Sequence, residues 1–206
     1  MHDTPRPHDL LWGMTPVQLP ADAPDWARQV LIAGQPVVVR RALVESGQIA
    51  VGLRGSSRDQ RYASVMPVCA VRRRVLPEQL VAQLPASELP ALRALGQLKP
   101  LLDALGLVWG VTGSVGYQLA TGLPTAHVDS DLDLLLRVPT VLSRPAARDL
   151  QQCLDQAACR VDLQLETPAG AIALREWAGD SARVLLKCAA GARLVDDPWQ
   201  LAELAA

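Results

Sequence analysis

The chain has 206 residues, of which 50% are hydrophobic, and a formal net charge of −1. That length suits one large domain or two small ones with a real core, and the near-neutral charge supplies no bulk attraction to nucleic acid or to a membrane surface. With five Trp, two Tyr and no Phe, aromatic side chains are too scarce for a stacking platform for single-stranded nucleic acid.

No run of about 18 apolar residues is present, so no membrane span is expected. The N-terminal stretch MHDTPRPHDLLWGMTP lacks the apolar segment of a secretory signal. The cysteines, Cys69, Cys153, Cys159 and Cys188, form no CxxC and have no histidine at zinc-ligand spacing. They read as scattered buried thiols of a reducing compartment, and the expected location is cytoplasmic.

In chain order the pattern is α/β (α+β) throughout. QPVVVRRAL (35–43) and QIAVGLRG (48–55) are rich in β-branched residues and read as strands. SVMPVCAVRRRV (64–75) is strand-like but broken by Pro67, with alternate arginines facing solvent. LPEQLVAQL (76–84) has the first-turn Pro and Glu of a helix. PASELP (85–90) is the expected linker, which divides the chain into a smaller N-terminal α/β domain, 1–86, a lid or docking region, and a catalytic domain, 87–206.

The apolar spacing of 91–107 predicts a helix, kinked or split near Pro100. A short strand follows at 107–111, then a helix over 115–122 closed by Gly122. DLDLLLRV (131–138) is a strand stopped by Pro139, and 143–157 is a helix with Ser143 as N-cap and Pro145 in its first turn. CRVDLQLE (159–166) alternates strictly, and after the TPAG turn AIALREW (171–177) continues the strand pattern. A hairpin over 183–195 and a short helix over 197–206 close the chain.

The chemistry centres on Asp131 and Asp133. In a strand these two carboxylates share one face, while Leu132 and Leu134 take the other. Two such charges repel unless a cation lies between them, and Mg²⁺ favours one or two carboxylates together with substrate phosphates. Gly113-Ser114, between a strand and a helix, lets backbone approach a phosphate held at the helix N-terminus. There is no GxxxxGK[ST], so a Walker-type ATPase is not expected. Asp162 and Glu166, both on the polar face of 159–166, are the candidates for a third carboxylate. Asp162 is preferred because Glu166 falls close to the Pro168 turn. Asp129 and His127 read as loop residues before the strand. Arg54, Arg58 and Arg61 lie in the loop of GLRGSSRDQRYA (52–63), where arginine forks suit an anionic substrate or an acidic partner.

Gly-Ser followed by DLDL resembles the signature of the DNA polymerase β-like nucleotidyltransferase superfamily, over about 90–195. The sixteen residues between Ser114 and Asp131 exceed the usual spacing there and point to one branch. RPHDLLW, AVGLRGSSRDQRYA, TGSVGYQLATG, SDLDLLL, VDLQLETPAGAIALREW and VLLKCAAGARLVDDPW, in this order along nearly the whole chain, resemble the phosphoribosyl-dephospho-CoA transferases of malonate decarboxylase, its holo-acyl-carrier-protein synthases. The resemblance implies transfer of the prosthetic group from 2'-(5''-triphosphoribosyl)-3'-dephospho-CoA to a serine of the apo acyl carrier protein, with pyrophosphate released. It implies a catalytic role for the aspartate pair, here Asp131 and Asp133. In that chemistry Asp131, Asp133 and Asp162 would hold Mg²⁺, and Gly113 and Ser114 the leaving phosphates. Arg54, Arg58 and Arg61 would face the carrier. A nucleotidyltransferase that uses ATP, one serving the citrate lyase carrier, and a non-catalytic carrier-binding module of the same fold are the alternatives.

Overall fold

The β-branched runs of the first 76 residues form five short strands in a computed structural model that describes residues 4–57, 59–82 and 84–200. They are β1 (Leu10–Trp12), β2 (Val37–Val39), β3 (Gln48–Arg54), β4 (Arg61–Pro67) and β5 (Arg73–Val75), in the order β4-β3-β2-β1-β5, antiparallel throughout. Helix α1 (Asp25–Ile32) contributes Ala27 and Leu31 to a core with Leu11, Val37, Val51 and Leu53. Pro67 ends β4 as expected, and a 3-10 turn over Val68–Ala70 separates it from β5.

This first unit, residues 1–76, has a buried charge at its centre. Asp9 is fully buried, and its Oδ2 accepts from Arg74 Nε at 2.7 Å and from the Arg6 backbone N–H at 2.7 Å. Arg74 was expected among the alternating surface arginines; instead its guanidinium is drawn in by a carboxylate that has no water to solvate it. Burial pushes the Asp9 carboxyl up, against the pull of the Arg6 N–H and of Arg74. Arg74→Ala leaves that charge without its main partner, and the expected cost is about 3 kcal/mol in urea unfolding near neutral pH. The folded state binds the Asp9 proton more tightly than the unfolded chain does. Its contribution to stability is therefore present at low pH and lost as pH rises through the folded pKa. Removing Arg74 raises that pKa further, so the deficit of the variant should shrink as pH falls. A deficit that does not change with pH would detach Asp9 from it.

The second unit, 77–206, is built on β6 (Trp109–Val111), β7 (Leu132–Arg137), β8 (Val161–Thr167), β9 (Gly170–Ala173), β10 (Val184–Cys188) and β11 (Gly191–Val195). The order is β11-β10-β9-β8-β7-β6. Only β7 and β8 run parallel; the other neighbours are antiparallel. A parallel pair needs a crossover, and α4 (Arg144–Leu154) supplies it, started by Ser143, whose side chain accepts from Ala146 N. The near-continuous apolar run of β7 is buried on both faces: Leu132, Leu134, Leu135 and Leu136 are each at most 1% exposed. Helices α2 (Pro90–Ala104), α3 (Gly113–Thr121) and α5 (Leu174–Ala178) complete the unit. Two sheets and five α-helices among the described residues make this a mixed α/β protein, as the sequence pattern predicts.

Several local expectations change. The division between units falls before PASELP, at Leu76/Pro77. The 3-10 turn Pro77–Val81 replaces the expected helix and belongs to the second unit, because Val81 enters its core and Glu78 takes a two-pronged pair from Arg137 at 3.1 and 3.2 Å. Helix α2 runs unbroken through Pro100. Pro100 is on the solvent face, and the carbonyl deprived of its donor belongs to exposed Gly96, where water can reach it. LREWA turns helical because Leu174 and Trp177, three apart, are both buried and Trp177 Nε1 donates to Leu142 O at 2.7 Å. The cysteines are unpaired but not buried: Cys69 and Cys153 are exposed and the other two half-buried. Of the expected closing helix, 201–206 lie outside the described residues. No helix among the described residues is long and apolar enough to cross a membrane.

Candidate active site

One end of the second sheet gathers the predicted chemistry. β6 runs antiparallel to β7, so the end of β6 meets the start of β7, with Val111 opposite Leu134. The next residue, Thr112, donates its N–H to Asp133 O at 2.9 Å. Helix α3 begins at Gly113, so its first turn starts beside Asp133. β8 runs parallel to β7 with Leu132 opposite Val161 and Asp133 opposite Asp162. Asp131, Asp133 and Asp162 are half-buried between buried Leu132, Leu134, Val161 and Leu163, as period-two alternation demands. In-register residues of parallel strands point the same way, so the three carboxylates occupy one face at one end. Glu166 stands opposite Arg137, four residues and about 13 Å along the strand from Asp162.

Gly113 adopts φ +62°, a conformation open to glycine at little cost. A Cβ there would run into Asp133 Oδ2 and come within 2.7 Å of its Cγ. The missing side chain therefore lets the Asp133 carboxylate pack against the start of α3, next to first-turn N–H groups that have no partner within the helix. Ser114 is half-buried in that turn.

The long interval between Ser114 and Asp131 is folded back on α3. Gly122 (φ +75°) closes the helix. Gln118 Oε1 then accepts from Thr125 N at 3.0 Å and Ala126 N at 2.9 Å, and Thr125 Oγ1 donates to Ser114 O at 2.9 Å. Ser130 Oγ accepts from His127 N and His127 Nδ1 from Asp129 N, which sets the turn into β7. His127 and Asp129 are exposed members of this turn.

The models of the phosphoribosyl-dephospho-CoA transferase MdcG N-terminal and C-terminal domains match residues 6–77 and 79–198. The chain belongs to the phosphoribosyl-dephospho-CoA transferase family. It is similar to a phosphoribosyl-dephospho-CoA transferase of Pseudomonas putida (strain W619), 61% identical over 98% of each chain. A protein of the same name from Pseudomonas fluorescens (strain Pf-5) is 60% identical over 97% of this chain and 96% of its own. That of Pseudomonas fluorescens (strain Pf0-1) is 58% identical over the full length of both. No solved structure matches the chain. The chain is thus a transferase, with phosphoribosyl-dephospho-CoA transferase activity.

The three predicted arginines all belong to the first unit. Arg54 and Arg61 are opposite each other at the end of the β3–β4 hairpin, in the first unit. Arg61 Nη1 donates to Gln60 O at 3.0 Å and Ser57 O at 3.3 Å, so it closes its own loop. Arg58 lies outside the described residues. The arginine that meets the carboxylate face is Arg160, which the sequence reading passes over: its Nε and Nη2 both donate to Asp162 Oδ1, at 3.2 and 3.1 Å. The signal was available, since positions 160, 162, 164 and 166 share parity in the alternating strand. Asp162, then Asp131 and Asp133, raise the Arg160 pKa, so the cation answers to all three carboxylates.

Among the described residues no three His, Cys, Asp or Glu side chains are gathered into a group ready to enclose a metal ion. The residues nonetheless fit Mg²⁺ in another way. The ion is content with one or two carboxylates, waters and phosphate, and Asp131 and Asp133 place two carboxylates on one strand face beside the start of α3.

Proposed function

We propose that the chain moves the phosphoribosyl-dephospho-CoA group from 2'-(5''-triphosphoribosyl)-3'-dephospho-CoA to a serine of the apo acyl carrier protein of malonate decarboxylase. The serine oxygen forms a bond to the α-phosphorus, the α–β phosphoanhydride breaks, and pyrophosphate leaves. The observation that carries this reading is the juxtaposition of Asp131, Asp133 and Asp162 with the glycine-led start of α3. Asp131 and Asp133, with Asp162 as third carboxylate, would hold Mg²⁺, which would supply positive charge against the phosphates. The backbone N–H groups at Gly113 and Ser114 receive the β- and γ-phosphates of the donor. Asp162, on the neighbouring strand, accepts the serine proton as the new P–O bond forms.

The carrier is assigned to the first unit. Residues 1–76 contain ten of the 20 basic residues and six of the 21 acidic ones, whereas the second unit is acidic. A basic surface steers an acidic partner, and the hairpin end with Arg54, Arg58 and Arg61 is the proposed contact. Residues 1–76 would then serve as the docking region.

Intact-mass measurement of the carrier tests the reading. Incubation with the chain, the triphosphoribosyl donor and Mg²⁺ should add the mass of the donor less pyrophosphate. The addition should vanish with EDTA. Label transferred from ATP, or equal modification of a citrate lyase carrier, would replace the donor or the acceptor named above.

A further inference from the structure

Resting on that reading, we infer that Arg160 is the resident counter-cation of the carboxylate face: it holds Asp162 until the donor arrives and then turns its guanidinium to the donor's phosphates. Its backbone is fixed where this exchange needs it. Arg160 O accepts from Leu132 N at 2.9 Å, which extends the parallel ladder one step beyond Val161 and sets Arg160 beside Asp131. Arg160 and Asp162 then form one side of a square and Asp131 and Asp133 the other, all four on the same face. Carboxylates that share one face favour a positive charge nearby. Arg160 provides it from within the chain.

The pairing is built to be given up. Arg160 and Asp162 are 65% and 39% exposed, and an ion pair that open to water contributes about 0–1 kcal/mol. Both donors converge on Oδ1, so Asp162 Oδ2 stays available to another ligand. A guanidinium fork matches two phosphate oxygens better than it matches one carboxylate oxygen. A metal entering alone meets a positive charge already in place. A metal entering with a triphosphate meets an arginine that has found a better partner. Metal and donor therefore bind with positive coupling, and by linkage each raises the affinity of the other by the same factor.

Manganese titration followed by electron paramagnetic resonance, without donor, reads the first half; calorimetry with inorganic triphosphate, without metal, reads the second. Arg160→Ala removes only an exposed pair, so its thermal melt should match the parent chain. We expect it to bind Mn²⁺ about tenfold more tightly and inorganic triphosphate about tenfold more weakly, with Arg160→Lys between the two. Equal Mn²⁺ affinity in the parent chain and Arg160→Ala, with binding lost in Asp133→Asn, would overturn the role of Arg160 and leave the metal reading standing. No Mn²⁺ binding by the parent chain or by Arg160→Ala would overturn the metal reading itself, and this inference with it.

Discussion

Gly113→Ala should reduce carrier modification by about 10²-fold or more while most of the fold survives. Two effects add. An L-residue at φ +62° costs roughly 1–2 kcal/mol of backbone strain. The new methyl group also has nowhere to go: it meets Asp133 Oδ2 and Cγ, so either the carboxylate rotates away or the first turn of α3 shifts. A displacement of about 1 Å at a reacting group is enough for a hundredfold loss, and here the displaced group is one of the proposed metal ligands. Gly122→Ala separates the two causes. Gly122 is also left-handed, at φ +75°, but nothing lies within 4 Å of its added Cβ. It should lose a similar amount of thermal stability and keep its transfer rate. Near-parent transfer by Gly113→Ala would remove the glycine notch from the site.

Asp133→Asn should abolish measurable transfer, by about 10³-fold or more, because several kcal/mol of charge stabilisation at the phosphates depends on the ion the pair would hold. Stability should behave in the opposite way. Asp133 shares its face with Asp131 and stands in register with Asp162, so one fewer negative charge relieves repulsion. The melting temperature of the variant should equal or exceed that of the parent chain. The backbone carbonyl that accepts from Thr112 N is untouched by the change. A circular-dichroism melt several degrees lower, or transfer within tenfold of the parent, would count against a metal-binding role for Asp133. Asp131→Asn should behave alike.

Much of this site was legible from residue order because its elements obey local rules. Alternation in CRVDLQLE set Asp162 opposite the core residues Val161 and Leu163, and the spacing of Asp131 and Asp133 put both on one strand face. Gly122 and Ser143 marked helix ends at the positions where they cap. Local rules failed where a remote partner outweighed them. LREWA continues a strand pattern, yet the burial of Trp177 and its bond to Leu142 O make it helical. Pro100 stays within α2 because the affected carbonyl faces water. Arg74 leaves the surface pattern for Asp9, 65 residues earlier in the chain.

The sequence by itself determined which side chains share a face, since strand and helix periods are properties of the backbone alone. It determined the mixed α/β class and the family in the same way, through ordered local patterns. Only the tertiary structure decided which faces meet. The register that pairs Asp133 with Asp162, the approach of Gly113 to the Asp133 carboxylate and the convergence of Arg160 on three aspartates all depend on pairing between strand residues 23 to 29 apart in the chain. Such pairing is selected by burial of Leu132, Leu134 and Leu136 with Val161, Leu163 and Leu165 in one core, because a slip of one residue would bring Asp133 or Asp162 to that side.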